Sequence, residues 1–182
     1  MNPLLDITGY IIKTLLACAL YAVLLRLLMQ WARADFRNPL SQAIVQLTNP
    51  VIMPLRRILR PVGKIDTASV VAVVIVALVK TAADDFFNRN EVPPLAIWAR
   101  QAALEIASSV LTTYYVAIIV YALLSLIAPG GYSPVQSLLT SLCEPVLRPF
   151  RRLIPPVGNL DLSPLWACIL IQVLLYLLRY LE

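Results

Sequence analysis

One stretch of this chain occurs twice, and that constrains the fold more than any other feature. Asn49-Pro-Val-Ile-Met-Pro-Leu-Arg-Arg-Ile-Leu-Arg-Pro-Val-Gly-Lys-Ile-Asp66 returns 95 positions later as Glu144-Pro-Val-Leu-Arg-Pro-Phe-Arg-Arg-Leu-Ile-Pro-Pro-Val-Gly-Asn-Leu-Asp161. Pro50, Pro54, Arg56, Arg57, Pro61, Gly63 and Asp66 fall without a gap on Pro145, Pro149, Arg151, Arg152, Pro156, Gly158 and Asp161. The register reaches back to Pro39 and Pro134, and long apolar runs flank each copy. A tandem duplication must be read first, because each unit is one structural module repeated. The expected halves are residues 1–90 and 91–182, with cassettes at 38–66 and 133–161.

Each cassette reads as a basic amphipathic helix. With Pro50 at the first helical position and Asn49 as cap, Val51, Ile52, Leu55, Ile58 and Leu59 gather on one side at about 100° per residue. Arg56, Arg57 and Arg60 gather on the other. The second copy sets Val146, Leu147, Phe150, Leu153 and Ile154 against Arg148, Arg151 and Arg152. Pro54 and Pro149 predict a bent or broken helix. Pro61-Val-Gly63 and Pro156-Val-Gly158 predict a turn after it. Asp66 or Ser69, and Asp161 or Ser163 ahead of Pro164, are the expected caps of the next helix. Such a helix lies in the headgroup plane with its arginines towards anionic lipid. Three roles fit the six arginines: holding two loops on the cytoplasmic side, docking lipid headgroups or a partner protein, or binding a phosphate-like anion.

Composition places the flanking runs in a membrane. Of 182 residues, 60% are hydrophobic and only 14% charged, against about half and a quarter in a soluble domain; mean hydropathy is +0.79. The net charge of +5 sits beside apolar spans, so the bilayer surface is the expected partner and nucleic acid is not. Cys18, Cys143 and Cys168 are unclustered and predict no disulfide framework; Cys18 and Cys168, inside apolar runs, are expected to be buried. With no histidine, the commonest metal ligand and general base are missing, and neither a cofactor nor a metal site is expected. The first apolar run lacks the basic start and small-residue cleavage site of a signal peptide.

About 20 apolar residues cross a bilayer, which gives four spans near 7–29, 69–87, 106–128 and 163–181. Lys13 and Arg26 sit near the ends of the first and are expected to snorkel. Pro39 to Leu47, capped by Asn38, is expected as a separate short helix, and Pro93-Pro94 opens an amphipathic piece with Trp98 that is either interfacial or an extension of the third span. Ala68, Ala72 and Ala77 would allow close packing on the second. On the third, Ser109, Thr112 and Tyr115 or Tyr114 form a polar strip running from Glu105, and Gln172 on the fourth could bond to it. The strip serves either helix packing or an ion path. Lys and Arg concentrate in the first and third connections, so these face the cytoplasm and both termini face outside. The predicted fold class is all-α integral membrane, two parallel repeats of two spans each.

Met29-Gln-Trp-Ala-Arg-Ala-Asp-Phe-Arg-Asn-Pro-Leu-Ser-Gln42, followed by the cassette's Asn-Pro, Pro-Leu-Arg-Arg and Pro-Val-Gly-x-Ile-Asp, resembles the YggT family (also called YlmG) of small bacterial membrane proteins. The resemblance covers the whole chain. It implies a multi-spanning plasma-membrane protein without an assigned enzymatic activity. Bacterial relatives are linked to osmotic tolerance and potassium uptake, or to cell division and envelope organisation; plastid relatives look like assembly or distribution factors. One departure is Arg60 before Pro61, where the family usually has Ile-Pro. The expected function is a non-enzymatic scaffold or assembly factor, docking anionic lipid or a membrane-protein partner through the basic faces, with homo-oligomers in view. The alternative is an oligomeric ion or solute permeation protein. An enzyme is disfavoured by the missing histidine, metal cluster, phosphate loop and nucleophile elbow.

Overall fold

The computed structural model describes residues 3–59, 66–89, 93–127, 133–153 and 161–181. Six helices form among them, with no strand: α1 (Pro3–Trp31), α2 (Pro39–Ile58), α3 (Thr67–Arg89), α4 (Leu95–Ile127), α5 (Pro134–Leu153) and α6 (Ser163–Arg179). Arg60, Pro61, Gly63, Pro156 and Gly158 lie outside the described residues. Two helices are long and apolar enough to cross a membrane: α1 over Leu4–Trp31 and all of α4, with mean hydropathies of 2.1 and 2.2. Helix α6 is apolar but only 17 residues long, about 26 Å at 1.5 Å per residue.

The helix boundaries follow from local chemistry. Helix α1 closes in a Schellman turn, with Arg33 N donating to Gln30 O at 3.2 Å and Ala34 N to Met29 O at 2.9 Å. Arg33 holds φ 54 there, a position glycine usually takes. Asn38 then caps α2, its side chain accepting from Leu40 N at 2.9 Å ahead of Pro39. The matching residue in the second half, Ser133, accepts from Gln136 N at 3.1 Å ahead of Pro134. Asn38 Nδ2 also donates to Pro134 O at 2.6 Å, so the starts of α2 and α5 are fastened together.

The cassettes depart from expectation in one respect. No separate helix starts at Pro50 and Asn49 is no cap: α2 runs unbroken through Pro50 and Pro54, and α5 through Pro145 and Pro149. Each proline removes one ladder bond. A helix packed along one face survives that loss, and Ile52 and Leu147 are fully buried at matching positions. The apolar face is also narrower than the periodicity implies. Leu55, Val146 and Phe150 pack against the core, but Val51, Ile58 and Leu153 are exposed. The amphipathic piece after Pro93-Pro94, which the sequence leaves either interfacial or an extension of the third span, is the extension: Leu95–Ile127 is one helix.

Helix α3 packs on α1, α2 and α4, whereas α6 packs only on α4 and α5. Small residues permit the close approach of α3: Ala68, Ala72 and Ala77 are all fully buried. At Gly9 on α1, an added Cβ would lie 2.7 Å from Phe87 Cδ1, so the two helices meet there without room for a side chain. The central cluster joins Leu20, Val23 and Leu24 of α1 to Val73, Ile118, Leu142 and Leu147. Cys18 faces outward on α1, Cys168 is half-buried and Cys143 is buried. The apolar run around Cys18 covers the whole circumference of α1, so its position on the outer side could not be read from hydropathy.

Candidate functional site

Two polar clusters form where the cassette helices meet the starts of α3 and α6. In the first, Arg56 Nε donates to Asp66 Oδ2 at 3.1 Å, and Nη2 bonds the same oxygen. Ser69 Oγ donates to it as well, at 2.8 Å. Behind this pair lies Arg26, only 5% exposed. Its Nη1 donates to Thr48 Oγ1 at 2.8 Å, Asn49 Oδ1 at 3.0 Å and Val45 O at 3.2 Å. Arg26 therefore does not snorkel; it fastens α1 to α2. Val45 O is adjacent to the Gln46 carbonyl, whose ladder partner is removed by Pro50.

In the second cluster, Arg151 does the corresponding work. Its Nε donates to Asp161 Oδ2 at 2.9 Å, Nη1 to Glu144 Oε2 at 2.6 Å and Nη2 to the Tyr121 hydroxyl at 2.9 Å. Asp161 Oδ1 accepts from Ser163 N at 2.9 Å and Ser163 Oγ at 2.5 Å, which ties the carboxylate to the first turn of α6. The carboxylates thus cap and clasp at once: one end holds the next helix, the other holds the cassette arginine.

The four positions correspond one to one at the 95-residue offset: Arg26 with Tyr121, Asn49 with Glu144, Arg56 with Arg151, Asp66 with Asp161. Their charges do not. The first cluster sets two guanidiniums against one carboxylate, the second one guanidinium against two carboxylates. Burial alone would raise the Asp66 carboxyl, but the hydrogen bonds from Arg56 and Ser69 outweigh it and hold the group below its usual value. Asp161 is held down in the same way by Ser163 and Arg151. Burial would lower Arg151, yet Asp161, Tyr121 and Glu144 raise it above its ordinary value. Burial pushes the Cys143 thiol, which stands where the first copy has Thr48, up to about 12; it stays a neutral thiol.

The six cassette arginines therefore divide. Arg56 and Arg151 are committed to Asp66 and Asp161, while Arg57, Arg148 and Arg152 are exposed. The polar strip on α4 divides as well. Ser109 is buried beside Glu105, donating to Oε1 at 3.3 Å, and Glu105 pairs with Lys80 of α3 at 3.1 Å. Lys80 also holds Asp84 at 3.0 Å. Tyr115 faces the other way and accepts from Gln172 Nε2 at 2.6 Å. Thr112 is half-buried between them. Ser109, Thr112 and Gln172 are not brought together, but the expected bond from Gln172 to the strip does form, at Tyr115. The sequence reading does not reach the roles of Arg26, Tyr121, Glu144 and the Lys80–Glu105 pair; the 95-residue offset carried beyond the cassette singles out Arg26 and Tyr121, and within it Asn49 and Glu144. Among the described residues, no group of three or more cysteines and carboxylates is placed to hold a metal ion.

These features define a class: an all-helical protein with two helices able to cross a membrane, carrying matched arginine–aspartate clasps at one end of its bundle. A family model described as CCB3/YggT matches residues 5–85 and 100–181, and the chain belongs to that family. It is 40% identical over 169 residues to an uncharacterized protein of Pseudomonas aeruginosa, covering 91% of this chain and 84% of the relative. It is 34% identical over 165 residues to the uncharacterized protein YggT of Escherichia coli, covering 91% and 85%. No solved structure matches it.

Proposed function

We propose that the chain is a four-span plasma-membrane protein without enzymatic activity, a scaffold or assembly factor that docks anionic lipid or a partner through its two basic helices. Helices α1, α3, α4 and α6 are the spans, with the two cassettes on the cytoplasmic side and both termini outside. The carrying observation is the division of the arginines. Arg56 and Arg151 are used internally to fix α2 and α5, and this holds Arg57, Arg148 and Arg152 outward on rigid helices. Each basic residue near an anionic leaflet contributes about 1 kcal/mol, so three together give a real lipid preference.

The test replaces Arg57, Arg148 and Arg152 with glutamine and leaves both clasps intact. Purified protein is reconstituted in mixed lipid, and the headgroups that stay bound are identified by native mass spectrometry. The wild type should retain anionic lipid in excess and the variant should lose that excess while keeping its thermal stability. An unchanged preference would leave the arginines a purely topological role. The permeation reading gains little here, because its polar strip splits between two faces of α4. Potassium flux into proteoliposomes above the empty-liposome rate would revive it.

A further inference from the structure

The two halves are built alike but covered differently. Within the chain, α4 lies on α3: Trp98 Nε1 donates to Thr81 Oγ1 at 2.9 Å, and Glu105 pairs with Lys80. On this seam Ala77 and Thr81 of α3 are buried, as are Ala102 and Ser109 of α4. Shifting the seam by 95 residues maps α3 onto α6 and α4 onto α1. There the burial vanishes. Gln172 and Tyr176, which correspond to Ala77 and Thr81, are exposed; so are Ile7 and Thr14, which correspond to Ala102 and Ser109. Helices α1 and α6 of one chain do not touch among the described residues.

The same offset explains the molecule's large cavity. About 750 Å³ opens between α4 and α6, lined in part by Tyr115, Ile119, Cys168 and Gln172. Their counterparts Leu20, Leu24, Val73 and Ala77 are fully or almost fully buried in the central cluster. What is core in the first half is an open groove in the second. The groove also carries an amide, Gln172, which is exposed although Tyr115 bonds it. An amide on a lipid-facing surface is costly and commonly bonds across a helix interface. The charges agree as well. Asp6 and Arg179 sit at the ends of the two bare faces, with no ion pair among the described residues, and the offset sets Arg179 where Asp84 stands and Asp6 where Gln101 stands.

We infer that α1 of a second copy of this chain packs into the α4–α6 groove, repeating between molecules the seam that α3 and α4 make within one. The contact is head-to-tail: one copy offers α6, the other α1, with Tyr10 against Leu175 as Glu105 is against Lys80. A heterologous contact of this kind generates a ring where its rotation closes. The inference depends on the membrane-spanning part of the proposed function and not on its arginine faces, so the two can fail separately.

The test uses the full chain in its membrane, with Cys18, Cys143 and Cys168 replaced by alanine. One tagged copy carries Tyr10→Cys and a differently tagged copy carries Leu175→Cys. Oxidation should produce the mixed cross-link in preference to either same-site cross-link. Asp6→Arg and Arg179→Asp should each lower its yield about two- to fivefold, the range a surface ion pair supplies, and the pair together should restore it. Photobleaching of labelled wild-type protein in nanodiscs supplies a cysteine-independent count. Same-site cross-links in excess, meaning a symmetric face-to-face dimer, overturn the inference. So does a single bleaching step with no mixed cross-link, which would leave the groove to lipid.

Discussion

The two clasps share a backbone plan and an Arg–Asp pair, yet they solve opposite electrostatic problems. The first buries its carboxylate, 6% exposed at the side chain, beneath two arginines. The second leaves Asp161 41% exposed and gives its one arginine three acceptors. In the first, the aspartate is the scarce partner; in the second, the arginine is. At the 95-residue offset the connection between cassette and following helix is therefore the same while the surrounding charges differ in sign. The scarce partner is the residue each copy can least lose.

The largest effect that would expose this difference comes from neutralising the carboxylates one at a time. Asp66→Asn leaves Arg56 and buried Arg26 without a counter-charge and should cost about 3 kcal/mol, the lower edge for a broken buried pair because Arg56 is itself half-exposed. Asp161→Asn leaves Arg151 with Glu144 and Tyr121 and should cost about 1 kcal/mol or less. Thermal unfolding in one detergent decides the matter; equal losses would mean the clasps are equivalent after all. The converse holds for the arginines, where Arg151→Gln should be the more damaging of the pair with Arg56→Gln, since it strands two carboxylates and a hydroxyl instead of one carboxylate.

Next in size is an attempt to convert one clasp into the other. Arg26→Tyr should destabilise by about 1–3 kcal/mol, the usual cost of stranding a buried acceptor, since it leaves Thr48 and Asn49 without their donor. Adding Asn49→Glu offers Arg56 the second carboxylate that Arg151 enjoys. The double variant should recover part of the loss, with a coupling of about 1 kcal/mol measured by a double-mutant cycle. Strict additivity would show that the offset pairs positions without pairing functions.

Much of the fold was legible because the duplication exposes it twice. Prolines 39 and 134, the caps beside them and the aspartates ahead of α3 and α6 all lie at one offset, and the apolar runs between them are unmistakable. What stayed hidden has a common cause. Whether a polar residue in an apolar run snorkels or turns inward depends on which neighbour it meets, and periodicity carries no such information. Arg26 lies three residues from the end of its run, which predicts a place at the interface, yet Thr48 and Asn49 stand where its guanidinium can reach them. Continuity through Pro50 and Pro145 was hidden for a related reason. The proline penalty is local, whereas the burial of Ile52 and Leu147 that offsets it is tertiary.

The smallest effect separates the clasps by pH. Both carboxyls titrate below their usual value in the folded chain. A group with a depressed folded pKa contributes stability that is complete above its unfolded value of 3.8 and is lost as pH falls through the folded value. Stability should thus be flat from neutral pH down to about 4 as far as these two groups are concerned, and decline in more acid solution. Asp66→Asn should remove more of that decline than Asp161→Asn, because the buried carboxylate holds the larger share of its clasp's interactions. Melting temperatures of the wild type and both variants between about pH 2.5 and 6, the window that brackets the carboxyl range, test this. A decline that survives in the double variant would place the acid sensitivity outside both clasps.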